Sequence, residues 1–208
     1  MKKTGQFILY LLILVVAFKS AYYYGFTPLE TASPPPFVAN YKAHPFGIYL
    51  HVAAAVVALL LGPLQFSTWL RQRHRQLHRV LGRIYLGFGV LAGGLSGLYM
   101  AQFAFGGPAV RLGFACLALA WLYTGFKAYS AVRQGAIEQH RAYMMRNYAL
   151  TLAAVSLRVW LPLMMIAGVQ FGTAYAIVAW LCWVPNLLVA EMMWVRERER
   201  IRSASALS

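Results

Sequence analysis

Six stretches of this chain are apolar almost without interruption, and each is long enough to cross a bilayer. A transmembrane helix needs about 20 such residues to span ~30 Å of hydrocarbon. The runs fall at about 6–26, 46–69, 80–104, 109–132, 148–168 and 172–195. The expected fold is therefore all-α: a polytopic six-helix transmembrane bundle forming one integral membrane domain over 1–208, with no length left for a separate soluble domain. The first run follows Lys2 and Lys3 as a signal peptide would. No small-x-small cleavage site follows it, and Lys19 occupies the minus-three position of a cleavage after Ala21. It is read as an anchor that stays.

The polar positions between the runs set the expected orientation. With the N-terminus inside, inner segments collect Lys2, Lys3, Arg71, Arg73, Arg75, Arg79, Arg83, Lys127, Arg133, Arg141, Arg146, Arg196, Arg198, Arg200 and Arg202, which is 15 of the 19 basic residues. Outer loops keep Lys42 and Arg111, while Lys19 and Arg158 lie within spans. The positive-inside rule then puts both termini in the cytoplasm and the chain in the inner (plasma) membrane as a multi-pass protein. The first outer loop, TPLETASPPPFVANYKAHP, is expected to be an extended polyproline strap. The short loops FGGPA and VQFG make antiparallel neighbours of the third and fourth spans and of the fifth and sixth. The tail RERERIRSASALS reads as a solvated helix end running into a frayed terminus.

Composition narrows the classes. Hydrophobic residues make up 61% of the 208, charged residues 12%, and the net charge is +14. A nucleic-acid module is basic and polar together, so that partner is excluded, and topology with anionic headgroups at the inner face accounts for the charge. Cys116 and Cys182 sit in apolar runs, without metal-site spacing. The five acids are all Glu, with no Asp to relay protons or hold sodium. That points away from a carboxylate-based pump. No nucleophile elbow, His-Glu-x-x-His or phosphate loop occurs, so no catalytic residue and no metal ligand set is assigned.

Ionisable groups at membrane depth are costly and mark candidate sites. His51, Ala54, Ala55, Ala58, Gly62 and Gln65 share a face of the second helix. His78, Gly82, Tyr85, Gly89, Gly93 and Gly97 share one on the third, where the glycines form a small-xxx-small seam. On the fifth, His140 and Arg158 align through Met144, Asn147 and Thr151 if the helix is continuous. Arg158 falls near mid-membrane. Glu191 offers it a carboxylate about 10 Å away along the axis, and Asn186 or carbonyls freed by Pro185 are the alternatives. QLHRVLGRIY and QHRAYMMRNY echo one another with a register shift of one residue, as a duplicated helix pair would.

Together His51, the segment GPLQF, LHRVLGRIY and HRAYMMRNYALTLAAVSLRVWLP carry a family resemblance. Over about residues 45–165 the chain resembles the predicted bacterial inner-membrane proteins grouped as domain of unknown function twenty-three-oh-six. The matching positions include His51, Gln65, His78, Arg83, Tyr85, His140, Arg146 and Arg158, with Tyr143 where the family carries Trp. The resemblance implies a multi-helix membrane protein and carries no activity with it.

Three functions follow from the residues. The first is a structural or assembly subunit whose buried His/Arg cluster fixes helix packing. The second is a redox protein holding a b-type haem on His78 and His140, with Arg83 and Arg146 facing its propionates. The third is an anion or lipid carrier with Arg158 as counter-charge and His51, Gln65 and Glu191 in the same polar cluster. At 208 residues, any of these would suit a homo-oligomer or a subunit beside another membrane protein. The sequence points away from an enzyme.

Overall fold

The computed structural model describes residues 3–33 and 35–205; Lys2, Pro34 and the last three residues of the tail lie outside the described residues. Among the described residues there is no strand. Six helical rods are long and apolar enough to cross a membrane: Thr4–Phe26, Pro45–Gln65, Arg75–Ala101, Pro108–Arg133, Ile137–Ile166 and Phe171–Glu199.

In chain order the helices are α1 (Lys3–Phe26), α2 (Leu29–Ala32), α3 (Pro35–Ala43), α4 (Pro45–Gln65), α5 (Thr68–Arg73) and α6 (Arg75–Ile84). A π-helical segment, Tyr85–Ala92, joins α6 to α7 (Gly93–Ala101). Then come α8 (Pro108–Arg133), α9 (Ile137–Thr151), α10 (Ala153–Ile166), α11 (Phe171–Leu181) and α12 (Val184–Ser205). Alternation of the rods gathers the Lys/Arg-rich segments at one end, the basic end, and α2 and α3 at the other.

Several boundaries differ from expectation for physical reasons. The outer loop is not an extended polyproline strap but two short helices. Pro35 and Pro36 occupy the first turn of α3, where a helix has no use for their missing N–H groups. Leu29 and Phe37 are buried, and Phe37 packs against Phe105, Phe171 and Tyr175, so the strap is seated on the bundle end. The second rod stops at Gln65, two residues after Pro63, and Ser67 caps α5 by accepting a hydrogen bond from the Leu70 N–H (3.3 Å). The third and fifth rods start earlier than their apolar runs, at Arg75 and Ile137. Their polar first turns pack as helix beyond the apolar stretch. The tail is helical through Ser205, as its expected helix end requires, and the expected frayed terminus falls on residues outside those described.

The second to fifth rods form a four-helix core, α4 against α6–α7, α7 against α8, and α8 against α9, with α4 closing on α9. The first rod lies on α4 and α10; the sixth lies on α9, α10 and α8. The hairpin turns are tight. Gly135 and Gly168 take positive φ (+74° and +82°), and the following residue bonds back to a carbonyl five positions earlier, which closes the helix end. The expected glycine seam is real. Gly89 lies against Ala58, Gly93 against Ala54 and Trp121, and Gly97 against the His51 ring. Outside, Phe7, Phe18, Leu95, Leu119, Phe126 and Met192 are exposed, as a lipid-facing shell requires.

At the centre sits a charge-free network on Asn147, which is fully buried. Tyr85 Oη donates to Asn147 Oδ1 (2.6 Å), and Asn147 Nδ2 donates to the Trp121 carbonyl (2.8 Å) and to Thr124 Oγ1 (2.9 Å). Trp121 Nε1 donates to Thr151 Oγ1 (3.0 Å), whose hydroxyl donates to the Asn147 carbonyl (3.0 Å). Three rods are tied together with every donor engaged.

Two stability outcomes follow. A Cβ at Gly62 would overlap the Tyr148 ring, whereas one at Gly87 meets nothing within 4 Å. Gly62→Ala is expected to lower the thermal unfolding midpoint in detergent, by an overpacking cost of about 1–3 kcal/mol, and Gly87→Ala to leave it unchanged. Asn147→Leu removes the Tyr85 hydroxyl's main acceptor and the donor to the Trp121 carbonyl, at about 1–3 kcal/mol per buried group left unpaired. In the same melting assay it should cost more than Tyr85→Phe; equal midpoints would contradict the network's role.

Candidate functional site

The four residues His51, Gln65, Arg158 and Glu191, expected as one polar cluster, do not meet. Gln65 and Glu191 stand at the basic end, while His51 and Arg158 stand near the strap. Glu191 is taken by Arg146. The guanidinium Nε pairs with Oε1, and Nη2 lies 2.7 Å from Oε2, a two-point contact between α9 and α12. Beside it Arg141 pairs with Glu197 (2.5 Å), and Arg198 with Glu138 (3.5 Å). The acids of α9 and α12 therefore fasten those helices at the basic end. Asn186 is engaged by Ser156 and by the Ala149 and Cys182 carbonyls, so it is not the partner of Arg158 either.

Arg158 reaches instead to Ser20 Oγ on α1 (Nη2, 3.1 Å) and to the Ala154 carbonyl of its own helix (Nη1, 2.9 Å). No carboxylate pairs with it among the described residues. Eight residues separate it from the end of α10, about 12 Å along the axis. That places it on the strap side of the Leu152 break. The α9–α10 rod also breaks at Leu152, so His140 and Arg158 are not on one uninterrupted helix. Charged and phenolic groups converge here. Arg158 acts electrostatically on His51 and on Tyr41 of the strap. Burial pushes the Tyr41 phenol well above its ordinary range, Tyr24 pushes the same way, and Arg158 opposes both. His51 Nδ1 donates to the Gly93 carbonyl (2.9 Å), which leaves its Nε2 as the free ring position. In the strap itself Lys42 pairs with Glu30 and holds that carboxyl below the usual range.

At the basic end the sequence-selected residues do come together, in part. His78 on α6 has the His140 ring and the Arg71 and Arg79 guanidiniums around it. His140 Nδ1 lies 2.8 Å from the Ala128 carbonyl. A carbonyl only accepts, so Nδ1 carries the proton and Nε2 of the neutral ring keeps its lone pair. Gln65, 7% exposed, lies against Gly82, one turn along α6 from His78. Its Nε2 and the Nδ1 of His78 are buried without any hydrogen-bond partner, the only two such side-chain atoms found among the described residues. Buried polar atoms are seldom left so in native structures, and each one calls for an explanation such as a bound group.

Arg83 and Arg146 are not beside this pair. Arg146 is committed to Glu191, and Arg83 lines a groove between the π segment and α8. The cations near His78 are Arg71 and Arg79, which face analysis along single helices missed because Arg71 belongs to a separate short helix, α5. Tyr24 and Tyr41 were missed as well, since a strap expected to be extended gave no reason to fold them onto Arg158. No group of three or more His, Cys, Asp or Glu able to hold a bare metal ion occurs among the described residues.

A protein-family model described as "Predicted membrane protein (DUF2306)" matches residues 48–194, a stretch that holds His51, Gln65, His78, His140, Arg158 and Glu191. No curated protein and no solved structure matches the chain. Matched from the second rod into the sixth, well over half its length, the chain belongs to the DUF2306 family of predicted membrane proteins.

Proposed function

We propose that this integral membrane protein is a helix scaffold whose polar residues chiefly fasten the bundle, and that the one place where fastening is incomplete, at His78, Gln65 and His140, holds a b-type haem. The observation that carries the reading is the pair of orphaned buried atoms, Gln65 Nε2 and His78 Nδ1. In a purely structural cluster they would be satisfied, as those around Asn147 are.

The residues present fit such a group. The imidazoles of His78 and His140, on different helices, would hold the iron of such a group. His140 is held by the Ala128 carbonyl in the tautomer that leaves Nε2 free to bind. Arg71 and Arg79 supply positive charge beside His78, where acidic edge groups need it. Gln65 offers an amide N–H to the same space. A bound haem would supply one-electron redox chemistry. We place the basic end on the cytoplasmic side of the inner membrane, supported by the clustering of Lys and Arg there and its fit to anionic headgroups.

Absorption spectra of the detergent-purified protein, expressed with 5-aminolaevulinate, test this reading. The expected result is a Soret band and an α band that sharpens on dithionite reduction. Both bands should be lost in His78→Ala and in His140→Ala and kept in His51→Gln. A folded, monodisperse and colourless wild type would overturn haem binding and leave the cluster with helix fastening alone, as a structural or assembly subunit.

A second reading, an anion carrier, is favoured by Arg158, a span cation with no carboxylate partner among the described residues. Ligands that bind the folded state raise its melting point by mass action. Inorganic phosphate should raise the midpoint of wild type and of His78→Ala, and leave Arg158→Gln unmoved. A shift that survives in Arg158→Gln would remove Arg158 from the site.

A further inference from the structure

We propose that the groove between the π segment and α8 is a phospholipid site, which takes an acyl chain of an anionic phospholipid along its floor and the headgroup phosphate on Arg83. The groove encloses about 350 Å³ and is walled almost wholly by apolar atoms. It runs between two spanning rods and opens sideways. The residues at its rim, Leu91 (52% exposed), Phe126 (67%) and Tyr129, face outward into what is hydrocarbon in a membrane. A water-soluble ligand has no route to such an opening, whereas a lipid tail is already there.

The floor is cut by two glycines that differ in kind. Gly125 is required by packing, since a Cβ there would come within 2.8 Å of Val90 Cγ1. Gly87 is not: a Cβ there meets nothing within 4 Å. The space above Gly87 is therefore open room in the groove, left unfilled by any neighbouring side chain. The π-helical turns of Tyr85–Ala92 widen this stretch of the rod beside α8, and π segments inside α-helices recur at functional sites.

Charge fixes which lipid. Arg83 stands one turn toward the basic end from Gly87, about 6 Å along the axis. It lines the groove, is exposed, and has no carboxylate among the described residues. Glu138, Glu191 and Glu197 are held by arginines on α9 and α12, Glu30 lies in the strap, and Glu199 is exposed near the end of α12. A phosphate at the mouth of the groove supplies the missing anion. A phospholipid reaches the cation and the apolar floor at once, and it does so in whichever leaflet the basic end lies. The site is separate from the His78–His140 pair, so the two proposals fail independently.

Native mass spectrometry of protein released from phosphatidylglycerol/phosphatidylethanolamine nanodiscs tests the assignment. Wild type should retain phosphatidylglycerol in preference to phosphatidylethanolamine. Arg83→Gln should lose that preference by tenfold or more, and Arg83→Lys should keep most of it. Gly87→Leu, whose Cβ meets nothing within 4 Å and whose branch would occupy the groove, should lose adducts of both headgroups while eluting as a folded species. Added inorganic phosphate should not displace the lipid, but oleate should compete. Unchanged adducts in both Arg83→Gln and Gly87→Leu would overturn the site, as would displacement by phosphate alone, since that requires no groove. The absorption spectrum serves as the control: Gly87→Leu should leave it as in wild type.

Discussion

In a bilayer no water can take up a stray hydrogen bond, and the bundle is organised by that constraint around Asn147. Its side-chain amide binds Tyr85, Trp121 and Thr124, and its backbone carbonyl accepts from Thr151. A buried amide in hydrocarbon would be destabilising alone; placed here it has partners on the third and fourth rods and closes the core. The contacts are neutral, so none carries the desolvation cost of a buried charge. The glycine seam on the third rod depends on the same geometry. Gly93 brings the Trp121 ring close, and Trp121 is at once a packing surface and a member of the network.

Charge is handled by a different rule, scarcity. With five carboxylates and 19 cations, each pairing excludes another. Three Glu residues join α9 to α12, where both helices emerge at the basic end and the pairs are partly exposed. Such pairs contribute modestly to stability but fix which helices are neighbours. The consequence is that Arg158 and Arg83, on opposite halves of the bundle, have hydroxyls, carbonyls or nothing as partners. Where a protein does not supply counter-charge to a cation in its spans, lipids and bound anions are the remaining sources.

The six rods were legible from hydropathy alone, because nothing but helix satisfies the backbone in hydrocarbon. The helix ends were not. Polar first turns such as those at Arg75 and Ile137 carry no apolar signal, and the strap's prolines read as helix breakers although in the first turn of α3 they open one. Small residues at four-residue spacing correctly predicted the seam of Gly89, Gly93 and Gly97, since close approach of backbones is a local property of one helix. Pairings between helices were beyond reach. Axial distance alone made Glu191 a strained partner for Arg158, but nothing in the chain ranked Arg146 above it. Arg146 lies on the same side of the bundle as Glu191 only once α9 and α12 are neighbours.

The contrast between the two polar regions bears most on function. Around Asn147 a chain with many apolar alternatives has placed five polar residues and satisfied them all. One rod-half away, Gln65 lies against Gly82, one turn along α6 from His78, and one atom of each is left without a partner. The same physics governs both places, and the same small-residue packing builds them. If polar residues served only to hold helices together, the second cluster would show the economy of the first, with a Thr or Ser supplying the missing acceptor. It shows instead an imidazole partner, His140, locked by a backbone carbonyl with its other nitrogen free, and arginines gathered beside it. That arrangement makes a poor fastener, and its unmet hydrogen-bonding capacity is the observation on which the proposed binding site rests.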